Sequence, residues 1–146
     1  MQMKVEMQSY KTVLVALDVY SAYEPVLNRA LDIVDHPSQV SLIYVTLPYV
    51  FFEPYAVDAG RDFVGDIQKK ALSKLQDIAK LHDIPSDQVF SLIGNAADEI
   101  HDKASDSNTD LIVIGTHGQS GLKLLLGSTA NAVLHGANCD VLSVRV

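Results

Sequence analysis

The chain has 146 residues, 48% apolar and 20% charged, with a formal net charge of −7. That size and balance fit one compact soluble α/β domain. No cluster of Lys or Arg supplies the basic face that general nucleic-acid binding needs, and a single cysteine, Cys139, excludes an internal disulfide or a cysteine-rich metal site. Cys139 reads as a small apolar residue at the entry to the last strand.

Residues 1–9 carry no apolar segment of the signal-peptide kind and read as an N-terminal extension. No uncharged apolar stretch approaches the roughly 18 residues of a membrane span, so a cytoplasmic protein without membrane insertion is expected. The first strand is predicted at Val13–Leu17, followed by a helix whose face carries Leu27, Ala30, Leu31 and Val34. Its start has two readings: a capping box of Ser21 with Glu24, or a first turn marked by Pro25. A second strand follows at Val40–Thr46, β-branched and nearly continuous in its apolar character, as a strand buried on both faces should be.

Leu47 to Gly60 breaks the pattern, with four aromatics and two prolines between a strand and a helix. It reads as a loop folded over that helix, or alternatively as a lid or partner-binding surface. The next helix carries Val64, Ile67, Ala71, Leu75, Ile78 and His82 on one face. A strand at Val89–Ile93 leads to Asn95, a capping residue with Asp98 and Glu99 behind it in the first turn, and to the stripe Ala97, Ile100, Ala104. A fourth strand, Leu111–Gly115, precedes a glycine loop. Then Ser128 opens a helix bearing Ala130, Val133, Leu134 and Ala137, which stops near Gly136. Val141–Val146 closes the chain as a strand. Strands alternating with helices imply a parallel sheet with right-handed crossovers and helices on both faces.

Ligands of such sheets bind outside the carboxyl ends of the strands. Two of those ends are polar and specific here: Ala16-Leu17-Asp18, and the loop Gly115-Thr116-His117-Gly118, eight residues, then Gly127-Ser128. Close glycines let main-chain N–H groups converge on an anion, and the helix behind them adds unpaired N–H donors. The pattern is neither Walker A nor the dinucleotide fingerprint. Asp18 is either a turn carboxylate or a group that accepts ribose hydroxyls and holds Mg²⁺ brought by a polyphosphate. His117 reads as a loop histidine rather than a catalytic base, and His36, His82, His101 and His135 show no metal-ligand spacing.

The stretch from Asp110 to Val146 resembles the universal stress protein family, whose nucleotide-binding members carry G-x-x-G, nine residues, then G-S/T. Val13–Asp18, Gly94–Ile100 and Asp110–Gly115 extend the resemblance, so that it covers Tyr10 to Val146. It implies an adenine nucleotide alpha hydrolase-like domain over residues 10–146, an open five-stranded sheet in the order 3-2-1-4-5, and a homodimer. The implied nucleotide site falls on Ala16, Asp18, Val45, Ile114, Gly115, Gly118, Gly127, Ser128 and Thr129. Backbone groups near Val45 would read adenine, Asp18 would hold ribose or Mg²⁺, and the glycines with Ser128 and Thr129 would bind phosphate. Two departures bear on phosphate: the spacer Gln119–Leu126 has eight residues, and Gln119 stands where many members place a cation, with Lys123 as a substitute from within the loop.

The expectation is an ATP-binding switch in the stress response, not an enzyme beyond weak ATPase activity, acting on a protein partner that the sequence does not identify. The alternatives are a homologue that binds no nucleotide and works through protein contacts, and a slow ATPase. A response-regulator receiver is a poorer match, since Asp18 is followed by Val19 and Tyr20 instead of a second acid. The last strand, at the sheet edge in the implied order, would pair with its copy about a two-fold axis, and proline at Val144 would weaken that pairing.

Overall fold

The computed structural model describes residues 9–48, 63–116 and 128–146. Among these residues five strands alternate with four α-helices: β1 (Val13–Ala16), α1 (Glu24–Ile33), β2 (Val40–Thr46), α2 (Phe63–Leu81), β3 (Val89–Ile93), α3 (Ala96–Asp106), β4 (Leu111–Gly115), α4 (Ser128–Gly136) and β5 (Asp140–Val144). All neighbouring strands pair in parallel, and the sheet order is β3-β2-β1-β4-β5. The segment from Tyr49 to Gly60 and the loop residues His117, Gly118, Gln119, Lys123 and Gly127 lie outside the described residues, so the readings placed on them are not addressed.

Strand alternation sends successive side chains to opposite faces, and each face is covered by its own helix pair. On one face Val13, Val15, Val40 and Leu42 pack with Val26, Leu27 and Ala30 of α1 and with Ala71, Leu75 and Ile78 of α2. On the other, Leu14, Ile43, Ile112 and Ile114 pack with Ala97, Ile100 and Ala104 of α3 and with Ala130 and Val133 of α4. Thus β1 leads into a helix on one face and its neighbour β4 into a helix on the opposite face. The two connections diverge and leave a crevice at the carboxyl ends of β1 and β4.

The register of β1 against β4 at this crevice is tied by polar contacts at the other end of the two strands. The Asp110 carboxylate accepts the backbone N–H groups of Lys11 (2.9 Å) and Thr12 (3.0 Å). With the starts of β1 and β4 tied together, Ala16 comes level with Ile114. Gln68 and Ser91 exchange two hydrogen bonds of 2.8 Å, Gln68 Nε2 donating to the Ser91 carbonyl and Ser91 Oγ to the Gln68 carbonyl, which fixes α2 on β3.

Several boundaries differ from the sequence reading. Pro25 falls in the first turn of α1 and the residue before the helix, Tyr23, makes no side-chain cap; Ser21 Oγ instead donates to the Asp18 carbonyl, so the capping box does not form. Asn95 does cap α3, its side chain accepting the Asp98 N–H at 3.1 Å. His82 lies beyond α2, where Asp83 adopts φ 60° and turns the chain so that Ile84 is buried against the core. Leu134, at the flank of the α4 stripe, is 52% exposed.

The ladder also corrects the proline position at the edge strand. In a parallel ladder a residue's N–H and C=O face the same neighbour, and the direction alternates along the strand. The Val144 carbonyl accepts the Thr116 N–H at 2.9 Å, so Val144 faces β4. The open-edge groups of β5 therefore belong to Val141 and Ser143.

Candidate functional site

A cavity of about 560 Å³ occupies the crevice. Of the residues singled out from the sequence, Ala16, Asp18, Val45, Ile114, Gly115, Ser128 and Thr129 line it together. Gly118 and Gly127 are outside the described residues. The cavity volume falls in the range of small-molecule and cofactor sites, roughly 300–1,000 Å³.

Two of its walls are made by backbone. The final hydrogen bond between β1 and β2 runs from Leu17 N–H to the Ile43 carbonyl, 3.0 Å. β2 continues to Thr46 while β1 has ended at Ala16. By the alternation of the ladder, the N–H and C=O of Val45 point to where β1 would have continued, and they make no backbone bond among the described residues. A donor and an acceptor on one residue are thus presented side by side at the end of the second strand. Opposite them, α4 begins at Ser128 with both Ser128 and Thr129 exposed. The first N–H groups of a helix have no intrahelical acceptor and carry the positive end of its dipole.

Asp18 stands between these walls and has a structural task as well. Its Oδ1 accepts the Tyr20 N–H at 3.0 Å, and its carbonyl accepts the Ser21 N–H at 3.2 Å, which closes the turn from β1 into α1. The two readings of Asp18 are compatible, since an ionised carboxylate offers about four acceptor sites on its two oxygens. Among the described residues no group of three His, Cys, Asp or Glu is placed to hold a metal ion. A lone carboxylate suits only a Mg²⁺ whose other ligands are phosphates and water.

The side of the cavity nearest α2 was missed by sequence reasoning. Tyr20, Tyr44, Thr46 and Ile67 line it. Tyr20 and Tyr44 meet edge to face, with ring centroids 5.8 Å apart and planes at 77°, and Lys74 Nζ lies 5.2 Å from the Tyr20 ring centre. Burial, reinforced by the Asp18 carboxylate and Tyr20, pushes the Tyr44 phenol up to about 12, so at neutral pH it is an O–H donor. Alternation along β2 could have placed Tyr44 and Thr46 on one face; nothing in the sequence says that Ile67 of α2 lines the same cavity. Of the scattered histidines, His101 has a packing role, its Nε2 lying 2.9 Å from the Val133 carbonyl between α3 and α4.

No helix among the described residues is long and apolar enough to cross a membrane. The chain matches the protein-family model of the universal stress protein family over residues 9–145. It is 37% identical over 143 residues to universal stress protein A homolog 2 of Coxiella burnetii, spanning 96% of this chain and 98% of that protein. Among solved structures it is similar to hypothetical protein MJ0577, with a TM-score of 0.78 at 23% identity over 95% of this chain and 98% of that one, a likeness of fold. It is also similar to a universal stress protein crystallised in complex with cAMP, with a TM-score of 0.57 at 26% identity over 94% of this chain and 98% of that one.

Proposed function

The chain belongs to the universal stress protein family, and we propose that it binds an adenine nucleotide in the crevice between β1, β2 and β4. The observation that carries this reading is the pairing of opposed groups across one cavity: the open N–H and C=O of Val45 on one side, the start of α4 on the other, and Asp18 between. An adenine edge offers a donor and an acceptor side by side and matches the main chain at Val45. The ribose hydroxyls donate to Asp18. Phosphates meet the N–H groups at Ser128 and Thr129 and, on the family resemblance, those of the loop glycines Gly118 and Gly127, which lie outside the described residues; Gly115 ends β4 beside them in the sequence. Ala16 and Ile114 form the floor. The relative crystallised with cAMP supports an adenine nucleotide as the ligand class.

ATP is the proposed physiological ligand, carrying any Mg²⁺ in with it to Asp18. The protein works as a nucleotide-dependent switch, and occupancy of the crevice alters the surface offered to a protein partner. Residues 1–9 are an extension to the domain of residues 10–146. We place the protein in the cytoplasm as a homodimer joined by antiparallel pairing of β5, an edge strand of the sheet.

Calorimetry with AMP and with ATP and Mg²⁺ at millimolar concentration tests the reading, together with mass spectrometry of natively purified protein. A co-purified adenine nucleotide, or saturable heat with stabilisation of the fold, is the expected result. Absence of both leaves the reading without support and favours action through protein contacts alone. ATP turnover near the ~10 s⁻¹ typical of enzymes would contradict the switch.

A further inference from the structure

The cavity wall contains a buried hydroxyl with nothing to bond. Thr46, the last residue of β2, is 3% exposed, lines the crevice, and its Oγ1 finds no hydrogen-bond partner among the described residues. Its carbonyl is already used, accepting the Gly94 N–H at 2.9 Å. Alternation along β2 puts its side chain on the face of Leu42 and Tyr44, where Ile67 and Tyr20 complete that side of the cavity. A strand that ends in a valine or isoleucine here would bury the same volume without an unsatisfied oxygen. Buried polar groups in native proteins are nearly always bonded, so an exception asks what completes it.

We propose that Thr46 Oγ1 is a ligand-binding group, and that it hydrogen-bonds the base end of the nucleotide. The assignment rests on the nucleotide reading above. Thr46 directly follows Val45, whose open N–H and C=O face the β1 side of the strand end, so the hydroxyl lies at the same end of the cavity as that open main chain. It is closed off in this conformation, and a turn about χ1 that exchanges it with the methyl carries it to the ligand. A hydroxyl both donates and accepts; it can donate to a ring nitrogen of adenine or accept from its exocyclic amine. Phosphate is a poor match, because the helix start that suits it, at Ser128, follows β4 across the sheet from β2. Thr46 therefore contributes to affinity for the nucleoside part and leaves the phosphate end unaffected.

The test compares Thr46→Val with Thr46→Ser by calorimetry, using AMP and adenosine as probes, and follows thermal melting without nucleotide. Valine keeps the shape and removes the hydroxyl. The expected result is AMP affinity lowered about fivefold to tenfold in Thr46→Val, the same factor with adenosine, and affinity within about twofold of the unaltered protein in Thr46→Ser. Without nucleotide, Thr46→Val should melt at or above the unaltered protein, since an unsatisfied buried oxygen has been removed. The assignment is overturned by unchanged AMP affinity in Thr46→Val, by a loss seen with AMP and not with adenosine, or by a ligand-free variant that melts several degrees lower. If the unaltered protein takes up neither AMP nor adenosine, the nucleotide reading fails and this assignment falls with it.

Discussion

Asp18 is the position where the turn and the ligand can be separated by one pair of substitutions. Its Oδ1 holds the Tyr20 N–H at 3.0 Å, a turn bond in a partly exposed place that contributes about 1 kcal/mol. Asn in its place keeps an oxygen for that bond, and loses the charge and the second acceptor oxygen, which an NH2 group replaces. A hydrogen bond to an ionised acceptor contributes about 1.5–3 kcal/mol against about 1 kcal/mol for a neutral one. Asp18→Asn should therefore weaken AMP binding by about 0.5–2 kcal/mol, roughly twofold to thirtyfold, with melting unchanged. Asp18→Ala removes the turn bond and the ligand contact: melting should fall by about 2–4 °C for a chain of this size, and AMP affinity by about tenfold or more. Calorimetry with AMP and thermal melting, run on both variants, separate the terms. If Asp18→Asn binds AMP as the unaltered protein does, the carboxylate is a turn residue only and its placement in the nucleotide site is refuted.

Ser143→Pro should turn a dimer into a monomer by light scattering at micromolar protein, because it removes an N–H from the open edge of β5 and leaves the bond between Val144 and Thr116 in place; a monodisperse monomer from the unaltered chain would defeat the pairing itself. Gly136→Ala should lower the melting temperature by about 2–4 °C, since a methyl there would run into the His101 ring and disturb its contact with the Val133 carbonyl; adding His101→Ala should recover part of the loss. Burial, with Asp18 and Tyr20 nearby, raises Tyr44 to about 12 from the ordinary value of 10, so the folded state keeps a proton that the unfolded chain gives up. That contribution is complete below pH 10 and is lost as the pH rises toward 12. Tyr44→Phe should make the urea midpoint fall less between about pH 9 and pH 11.5 than it does in the unaltered protein.

Most of the fold was legible because burial on both faces leaves a strong trace in sequence. Val40–Thr46, Val89–Ile93 and Leu111–Gly115 are apolar runs whose limits coincide with β2, β3 and β4. The misreadings fall where a chain leaves the sheet. Leu17 looks like strand and still gives its N–H to Ile43, yet the turn held by Asp18 has already begun. At the other end of the chain, Arg145 and Val146 continue the apolar alternation, but β4 stops at Gly115 and offers no strand beside them; the Val146 N–H goes instead to Thr116 Oγ1, 3.2 Å away. The capping box at Ser21 was a sound local pattern that lost to the demand of the Asp18 turn for the same hydroxyl.

The site follows the same division. Asp18 and Ser128 could be named in advance because their side chains or positions carry the chemistry, and strand order then brings them to one crevice. Val45 is of another kind. Its valine side chain says nothing about binding, and from the residues alone it is one more apolar position in a buried strand; only the family resemblance pointed to it. What makes it a candidate is a difference in length between neighbours: β1 pairs with β2 up to Ala16 beside Ile43, while β2 runs on to Thr46 in order to pair with Ile93 of β3. The strand between two partners of unequal length is left with N–H and C=O groups on one side and no ladder to use them. The polar groups that Val45 offers at the end of β2 are thus produced by where two strands stop, a property of the pairing and not of any residue type.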